Sequence, residues 1–183
     1  LNKKMKHLLK KYREEVLPKL KGEFGVSSVM ALPRIVKVIV NTGVGRVVKD
    51  EKLLEQIQQD MSLIVGQKTI ATKAKKSIAS FKTRQGMTIG YKATLRGKRM
   101  YDFLDRLISI ALPRTRDFRG IDEKSIDKSG NLTLGVKEHI VFPEVSTEHV
   151  RNIFGLEITV VTDAKNRQEA LALYKSLGFP LKK

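Results

Sequence analysis

Thr88-Ile89-Gly90-Tyr91-Lys92-Ala93-Thr94-Leu95-Arg96 decides the fold. Ile89, Tyr91, Ala93 and Leu95 fall on one side of an extended chain. Thr88, Gly90, Lys92, Thr94 and Arg96 fall on the other. A strand covered on both faces would be apolar almost throughout, so this one predicts a sheet with one packed face and one open, polar face. Asn131–Lys137 alternates in the same way, with Leu132, Leu134 and Val136 on one side. Further strands are expected at Ile35–Asn41, after Pro33, at Gln67–Thr72 and at Glu157–Thr162.

Helical periodicity fills the intervals. Met5, Leu8, Leu9, Tyr12, Val16, Leu17 and Leu20 form a stripe that Gly22 and Gly25 end. A second helix, capped by Asp50 and stopped by Gly66, carries Leu53, Leu54, Ile57, Met61, Ile64 and Val65. A third carries Met100, Phe103, Leu104, Leu107, Ile108 and Ala111, and breaks at Pro113. Asn166 and Glu169 make a capping pair for a fourth, which bears Ala170, Leu171, Tyr174 and Leu177 and stops at Gly178 and Pro180. Two long irregular stretches remain, Lys73–Gly86 and Arg114–Gly130. The sum is an α+β fold over 1–183 as a single domain. It has a largely antiparallel sheet of about five strands, helices on one face and an open polar face. That face would carry Lys37, Asn41, Gln67, Thr69, Lys92, Thr94, Arg96, Asn131 and Thr133.

The chain has 183 residues, of which 41% are hydrophobic, enough for a packed core. Its 36 Lys and Arg outweigh its 19 Asp and Glu, for a formal charge of +17. From Ile121 onward nine basic residues balance nine acidic ones, so the whole excess lies before that point. Positions 61–101 hold Lys68, Lys73, Lys75, Lys76, Lys82, Arg84, Lys92, Arg96, Lys98 and Arg99 without one Asp or Glu. A face kept soluble by charge mixes both signs, whereas ten cations without an anion repel one another. Such a run points to a polyanion, with nucleic acid preferred over an anionic membrane. Hydroxyls and amides on an open sheet suit an RNA backbone or shallow groove, although an ordinary solvated face has the same composition.

Other chemistries find little support. With no cysteine, a disulfide scaffold, a thiolate zinc site and a cysteine nucleophile are excluded. Val40-Asn41-Thr42-Gly43-Val44-Gly45 has the start of a dinucleotide turn. Val48 stands at its third glycine position, and no acid follows to hold a ribose. Ser125-Ile126-Asp127-Lys128 matches an acylating motif that has no companion here. His7, His139 and His149 lack the spacing of metal ligands and read as surface or packing residues; no metal site and no cofactor are expected. No run approaches the roughly 20 apolar residues of a bilayer span. The basic N-terminus lacks the apolar core of a secretory signal, which favours the cytosol. An RNA-processing or RNA-modifying enzyme is a competing reading, but it needs acid–base or metal-binding groups that residues 61–101 do not supply. A peripheral membrane protein would need residues 3–20 as a basic amphipathic helix. Phe81 is the one aromatic residue placed to project from the cationic loop; it serves either that purpose or as an anchor packing the loop onto the body.

Several motifs, in order, carry a resemblance. They are Pro33-Arg34, Val40–Gly45, Leu63-Ile64-Val65-Gly66-Gln67-Lys68 and Ala71-Thr72-Lys73-Ala74-Lys75-Lys76-Ser77-Ile78. Phe81-Lys82-Thr83-Arg84-Gln85-Gly86-Met87, Ala111–Gly120 with its Arg-Asp-Phe-Arg-Gly block, and Leu177-Gly178-Phe179-Pro180 follow. From end to end the chain resembles the large-subunit ribosomal protein family that binds 5S ribosomal RNA, the fifth of that subunit in the bacterial scheme. Thr42 stands where the pattern expects a larger polar residue.

The resemblance implies a cytoplasmic ribosomal protein of the central protuberance. There it would fix 5S rRNA, touch the large-subunit rRNA and meet neighbouring 5S-associated ribosomal proteins. The open face would then meet 5S rRNA through Lys37, Asn41, Gln67, Thr69, Lys92, Thr94 and Arg96. The basic loop, as a flexible element, would reach P-site tRNA through Lys73, Lys75, Lys76, Ser77, Ser80, Lys82 and Arg84. The stretch Arg114–Pro143 would help form a bridge to a small-subunit head protein, with Arg114, Arg116 and Arg119 as its cations.

Overall fold

The computed structural model describes residues 7–45, 47–48, 50–145 and 152–182. Met5 and His149 lie outside them. Among the described residues five strands are formed: β1 Ile35–Gly43, β2 Ile70–Lys73, β3 Thr88–Leu95, β4 Leu132–Val136 and β5 Leu156–Thr162. They join in the order β2-β3-β1-β5-β4, so β3 inserts between β1 and β2 after the helical crossover that links them. β2 and β3 are antiparallel, with Ile70 opposite Lys92, Ala71 opposite Tyr91 and Thr72 opposite Gly90. From Tyr91 onward the alternation read from the sequence is the alternation of burial; before it Ile89 is half-buried and Gly90 buried. Tyr91, Ala93 and Leu95 are buried, as are Leu132, Leu134 and Val136, while Lys92 and Thr133 are exposed.

Four helices complete the α+β architecture among the described residues. The first, α1, runs through Leu8–Lys11, a π-helical turn Tyr12–Val16, and Leu17–Phe24. α2 is Glu51–Val65; α3 runs through Gly97–Arg106, a π-helical turn Leu107–Ala111, and Leu112–Arg114; α4 is Arg167–Leu177. Each π turn lies just ahead of a proline, Pro18 or Pro113. Proline lacks the N–H that an α-turn would use and crowds the carbonyl four residues back. Widening the preceding turn relieves that crowding, so α3 continues to Arg114 rather than breaking at Pro113. Gly22 likewise stays helical, and α1 ends at Gly25, where φ is +62°.

The helix caps follow the sequence in part. Asp50 Oδ1 accepts from Leu53 N at 3.2 Å, and Gly66 closes α2 with φ +74°. The expected Asn166–Glu169 pair does not form as a reciprocal cap. Glu169 Oε2 instead accepts from Lys165 N at 3.0 Å, and Asn166 makes no side-chain cap.

Two compact units divide the chain. One is built from the described parts of Leu1–Val38, Leu95–Leu134 and Thr159–Lys183. Its core includes Leu20, Met100, Phe103, Leu104, Leu132 and Tyr174, all fully buried. Each contributes roughly 1.5–3 kcal/mol by leaving water. Tyr174 keeps its hydroxyl satisfied by donating to Gly130 O at 2.9 Å and Val160 O at 3.2 Å. Gly130 has φ +80°, and a Cβ there would sit 2.8 Å from that of Ala170.

The other unit is built from the described parts of Ile39–Thr94 and Gly135–Ile158. Val40, Ile57, Met61, Ile64, Tyr91 and Ile158 are buried there. It also buries His139, which stacks on Phe154 at 3.8 Å and accepts from Phe154 N through Nδ1 at 3.4 Å. Its Nε2 stands 3.9 Å from Asp60 Oδ2. Burial holds the imidazole below its ordinary pKa and raises the Asp60 carboxyl.

Candidate nucleic-acid interface

The open face of β3 in the second unit presents Thr88, Gly90, Lys92 and Thr94. Lys92 is exposed and has Ile70 of β2 across from it, 64% exposed. Gly90 has no room for a side chain, since a Cβ would come within 2.7 Å of Thr42 O. That close approach flattens the face where β3 meets β1. Thr42 turns inward and donates through Oγ1 to Gly155 O at 2.8 Å. It therefore holds the sheet instead of reaching outward, which suits a small residue at this place.

Asn41 points to the open side and donates through Nδ2 to Glu157 Oε2 at 3.2 Å. Glu157 is exposed, a carboxylate on the face expected to meet an anion. Sequence reasoning misses it, although the alternation of Leu156, Ile158 and Val160 along β5 is the signal that would place it outward. Gln67 is half-buried and donates through Nε2 to Thr94 O at 3.1 Å, which ties the chain before β2 to the end of β3.

Thr69 is a correction. The sequence reading puts it on the open face, but it is 3% exposed and its hydroxyl lies 3.4 Å from that of Ser62. The observed register places Ile70 outward instead, opposite Lys92, while Thr72 is half-buried with its hydroxyl covered. A one-residue slip exchanges the two faces, and four residues of β2 with a bulge between Thr72 and Lys73 are too few for alternation to set the phase.

The backbone of the basic loop is paired. Ala74 N donates to Met87 O at 2.8 Å and Gly86 N to Ala74 O at 3.0 Å. Further out, Ile78 and Thr83 exchange two bonds, 3.0 and 3.2 Å. Ser77 Oγ accepts from Gln85 N at 2.9 Å. The turn between them contains a 3-10 segment, Ala79–Phe81, and closes at Lys82 with φ +51°. Ser77 thus braces the loop. Lys73, Lys75, Lys76, Ser80, Lys82 and Arg84 are all exposed. Phe81 is 76% exposed, which decides between its two roles: it projects.

In the first unit, Lys37 is half-buried and Arg96 exposed at the start of α3. Asn131 is committed to its own turn and to β5: its Nδ2 donates to Asp127 Oδ2 at 2.9 Å, and its Oδ1 accepts from Thr162 N at 3.3 Å. Arg114, Arg116 and Arg119 are exposed. Past them, Ile121 N donates to Pro180 O at 2.7 Å and Lys182 N to Ile121 O at 2.8 Å. Those bonds, and Arg167 donating to Glu123 O at 2.7 Å, hold the long stretch in place. His7 is exposed and pairs with Asp102, a surface role. Among the described residues no cluster of three or more His, Asp or Glu could hold a metal ion, and no helix is long and apolar enough to cross a membrane.

Comparison with known proteins agrees with these features. Residues 28–84 match the family described as ribosomal protein L5, and residues 88–181 match the model of that ribosomal family's C-terminus. The large ribosomal subunit protein uL5 of Dichelobacter nodosus is 52% identical over 178 residues, 97% of this chain and 99% of that protein. Its counterpart in Halothermothrix orenii is 49% identical, over 96% of this chain and 98% of that one. The Chloroflexus aurantiacus protein is 52% identical, over 96% and 97%.

Proposed function

The chain belongs to the bacterial uL5 family of large-subunit ribosomal proteins, and we propose that within the subunit it anchors 5S rRNA and touches tRNA. The family is structural rather than enzymatic and works in the cytoplasmic ribosome. The task is therefore binding, and no bond is made or broken. On this reading Asn41, Lys92, Thr94 and Gln67 meet 5S rRNA on the open face, with Lys37 and Arg96 as phosphate contacts. Hydroxyl and amide groups recognise backbone shape and 2′-hydroxyls, while lysine and arginine displace counterions. The paired basic loop touches P-site tRNA through Lys73, Lys75, Lys76, Ser80, Lys82 and Arg84. Arg114, Arg116 and Arg119 contribute to a contact with a small-subunit head protein, and neighbouring 5S-associated proteins and large-subunit rRNA complete the surroundings.

The observation that carries this reading is the arrangement of charge. The loop presents its cations outward, with no acidic residue from Met61 to Tyr101 to neutralise them. The test is binding of the purified chain to 5S rRNA and to a size-matched structured RNA at two salt concentrations. A preference for 5S rRNA that survives the higher salt is expected. Equal affinities that vanish together would reduce the protein to a polycation and sink the reading.

A further inference from the structure

The exposed ring of Phe81 forms one wall of an open cleft of about 390 Å³. The opposite walls are Val47, Val48 and Leu53, where the turn after β1 enters α2; Met87 and Lys82 complete it on the loop side. We propose that this cleft receives one unpaired nucleotide of the RNA bound by the loop, its base stacked on Phe81. The proposal rests on the reading of the loop as a tRNA contact.

Size, chemistry and charge agree. A few hundred cubic ångströms is the scale of a small-ligand pocket, and a nucleobase is a flat, mostly apolar body that fits one. Aromatic rings stack on any base, whatever its sequence. Among the described residues that line it the cleft has one acid, Asp50, whose Oδ1 already caps Leu53 N. A carboxylate on the wall rejects a phosphate there and accepts from the amino or imino edge of a base. Among the described lining residues the cation is Lys82, on the loop, where Lys75, Lys76 and Arg84 are also exposed. The polarity is therefore base inward and phosphate outward. An apolar peptide would fit the walls but would leave the surrounding cations without partners. The loop also needs little ordering to bind, because its Ile78–Thr83 and Ala74–Met87 bonds already hold Phe81 over the cleft.

The test uses the absence of tryptophan from this chain. Phe81→Trp installs a single fluorescent reporter at an exposed position, so folding is not at stake. Titration with tRNA is expected to quench the emission. A blunt-ended, fully paired two-strand RNA duplex of equal charge is expected to bind without quenching. Phe81→Leu is expected to weaken tRNA binding by about tenfold, the scale of removing one stacked base, with the salt slope unchanged. The combined variant Lys75→Ala, Lys76→Ala, Lys82→Ala separates the two levels. If it loses tRNA while Phe81→Leu binds as well as wild type, the loop contact stands and the base pocket is wrong. If neither affects tRNA, both are wrong. Equal quenching by duplex and tRNA also overturns the pocket.

Discussion

Asn41 and Glu157 form a hydrogen bond across the open face of the sheet, Nδ2 to Oε2 at 3.2 Å. A carboxylate on a surface proposed to meet phosphates is a cost unless it serves to aim a neighbour. Here it fixes the Asn41 amide with its carbonyl oxygen turned away. The expected result is that Glu157→Gln, which keeps an acceptor and removes the charge, tightens 5S rRNA binding about two- to fivefold. Asn41→Ala should weaken it by about fivefold, the order of one net hydrogen bond. Filter binding at fixed salt measures both. Weaker binding by Glu157→Gln would mean that the charge itself contributes.

The loop and the sheet should be separable. Replacing Lys75, Lys76 and Lys82 together by alanine is expected to leave 5S rRNA affinity within about twofold. For tRNA it should lower the slope of log K against log salt by about 0.7–0.9 for each phosphate no longer neutralised. Collapse of 5S binding in this variant would assign the loop to the wrong RNA.

Much of the fold and of the charge pattern is legible in the sequence. Charge asymmetry is a property of composition, and the alternation of Thr88–Arg96 spans enough residues to set its own phase. Thr69 is misread because β2 is short and bulged, so nothing local fixes which side faces the core. The bracing role of Ser77 and Asn131 is hidden for a different reason. A serine or asparagine on a turn reads alike whether it binds its own backbone or a ligand. The helix through Pro113 is hidden too, since a widened turn leaves no mark in apolar spacing.

Burial of His139 makes stability depend on pH. Its folded pKa is depressed below the ordinary 6.5, so below that value the unfolded chain binds the proton more readily than the native one. Stability should fall as pH drops from 6.5 toward the folded pKa, by up to about 1.4 kcal/mol for each pH unit. Asp60 acts in the opposite sense, because its raised pKa makes stability fall as pH climbs from its ordinary 3.8. His139→Gln keeps Asp60 and isolates the histidine. Urea midpoints at pH 7 and 5.5 should therefore differ more for wild type than for this variant, and equal differences would count against a neutral buried imidazole.

The contact between Gly130 and α4 should be among the least tolerant in the first unit. Gly130→Ala combines a left-handed backbone with a methyl group 2.8 Å from Ala170 Cβ and 3.1 Å from Ala164 Cβ. A loss of about 2–4 kcal/mol is expected. Tyr174→Phe should cost less, about 1–2 kcal/mol, because Thr162 still donates to Gly130 O at 2.9 Å. Thermal unfolding of the two variants tests the ranking, and the reverse order would show that the turn can open without harm.

The paired backbone of the basic loop has a mechanical consequence. Two rails joined at Ala74–Met87 and again at Ile78–Thr83 leave little slack between tip and base. A push on Phe81 is not taken up by the loop; it arrives at β2 and β3 as shear. The first place that can yield is the bulge between Thr72 and Lys73, where the ladder is already out of step. The loop thus works as a strut, and a displacement of its tip becomes a displacement at the edge of the sheet.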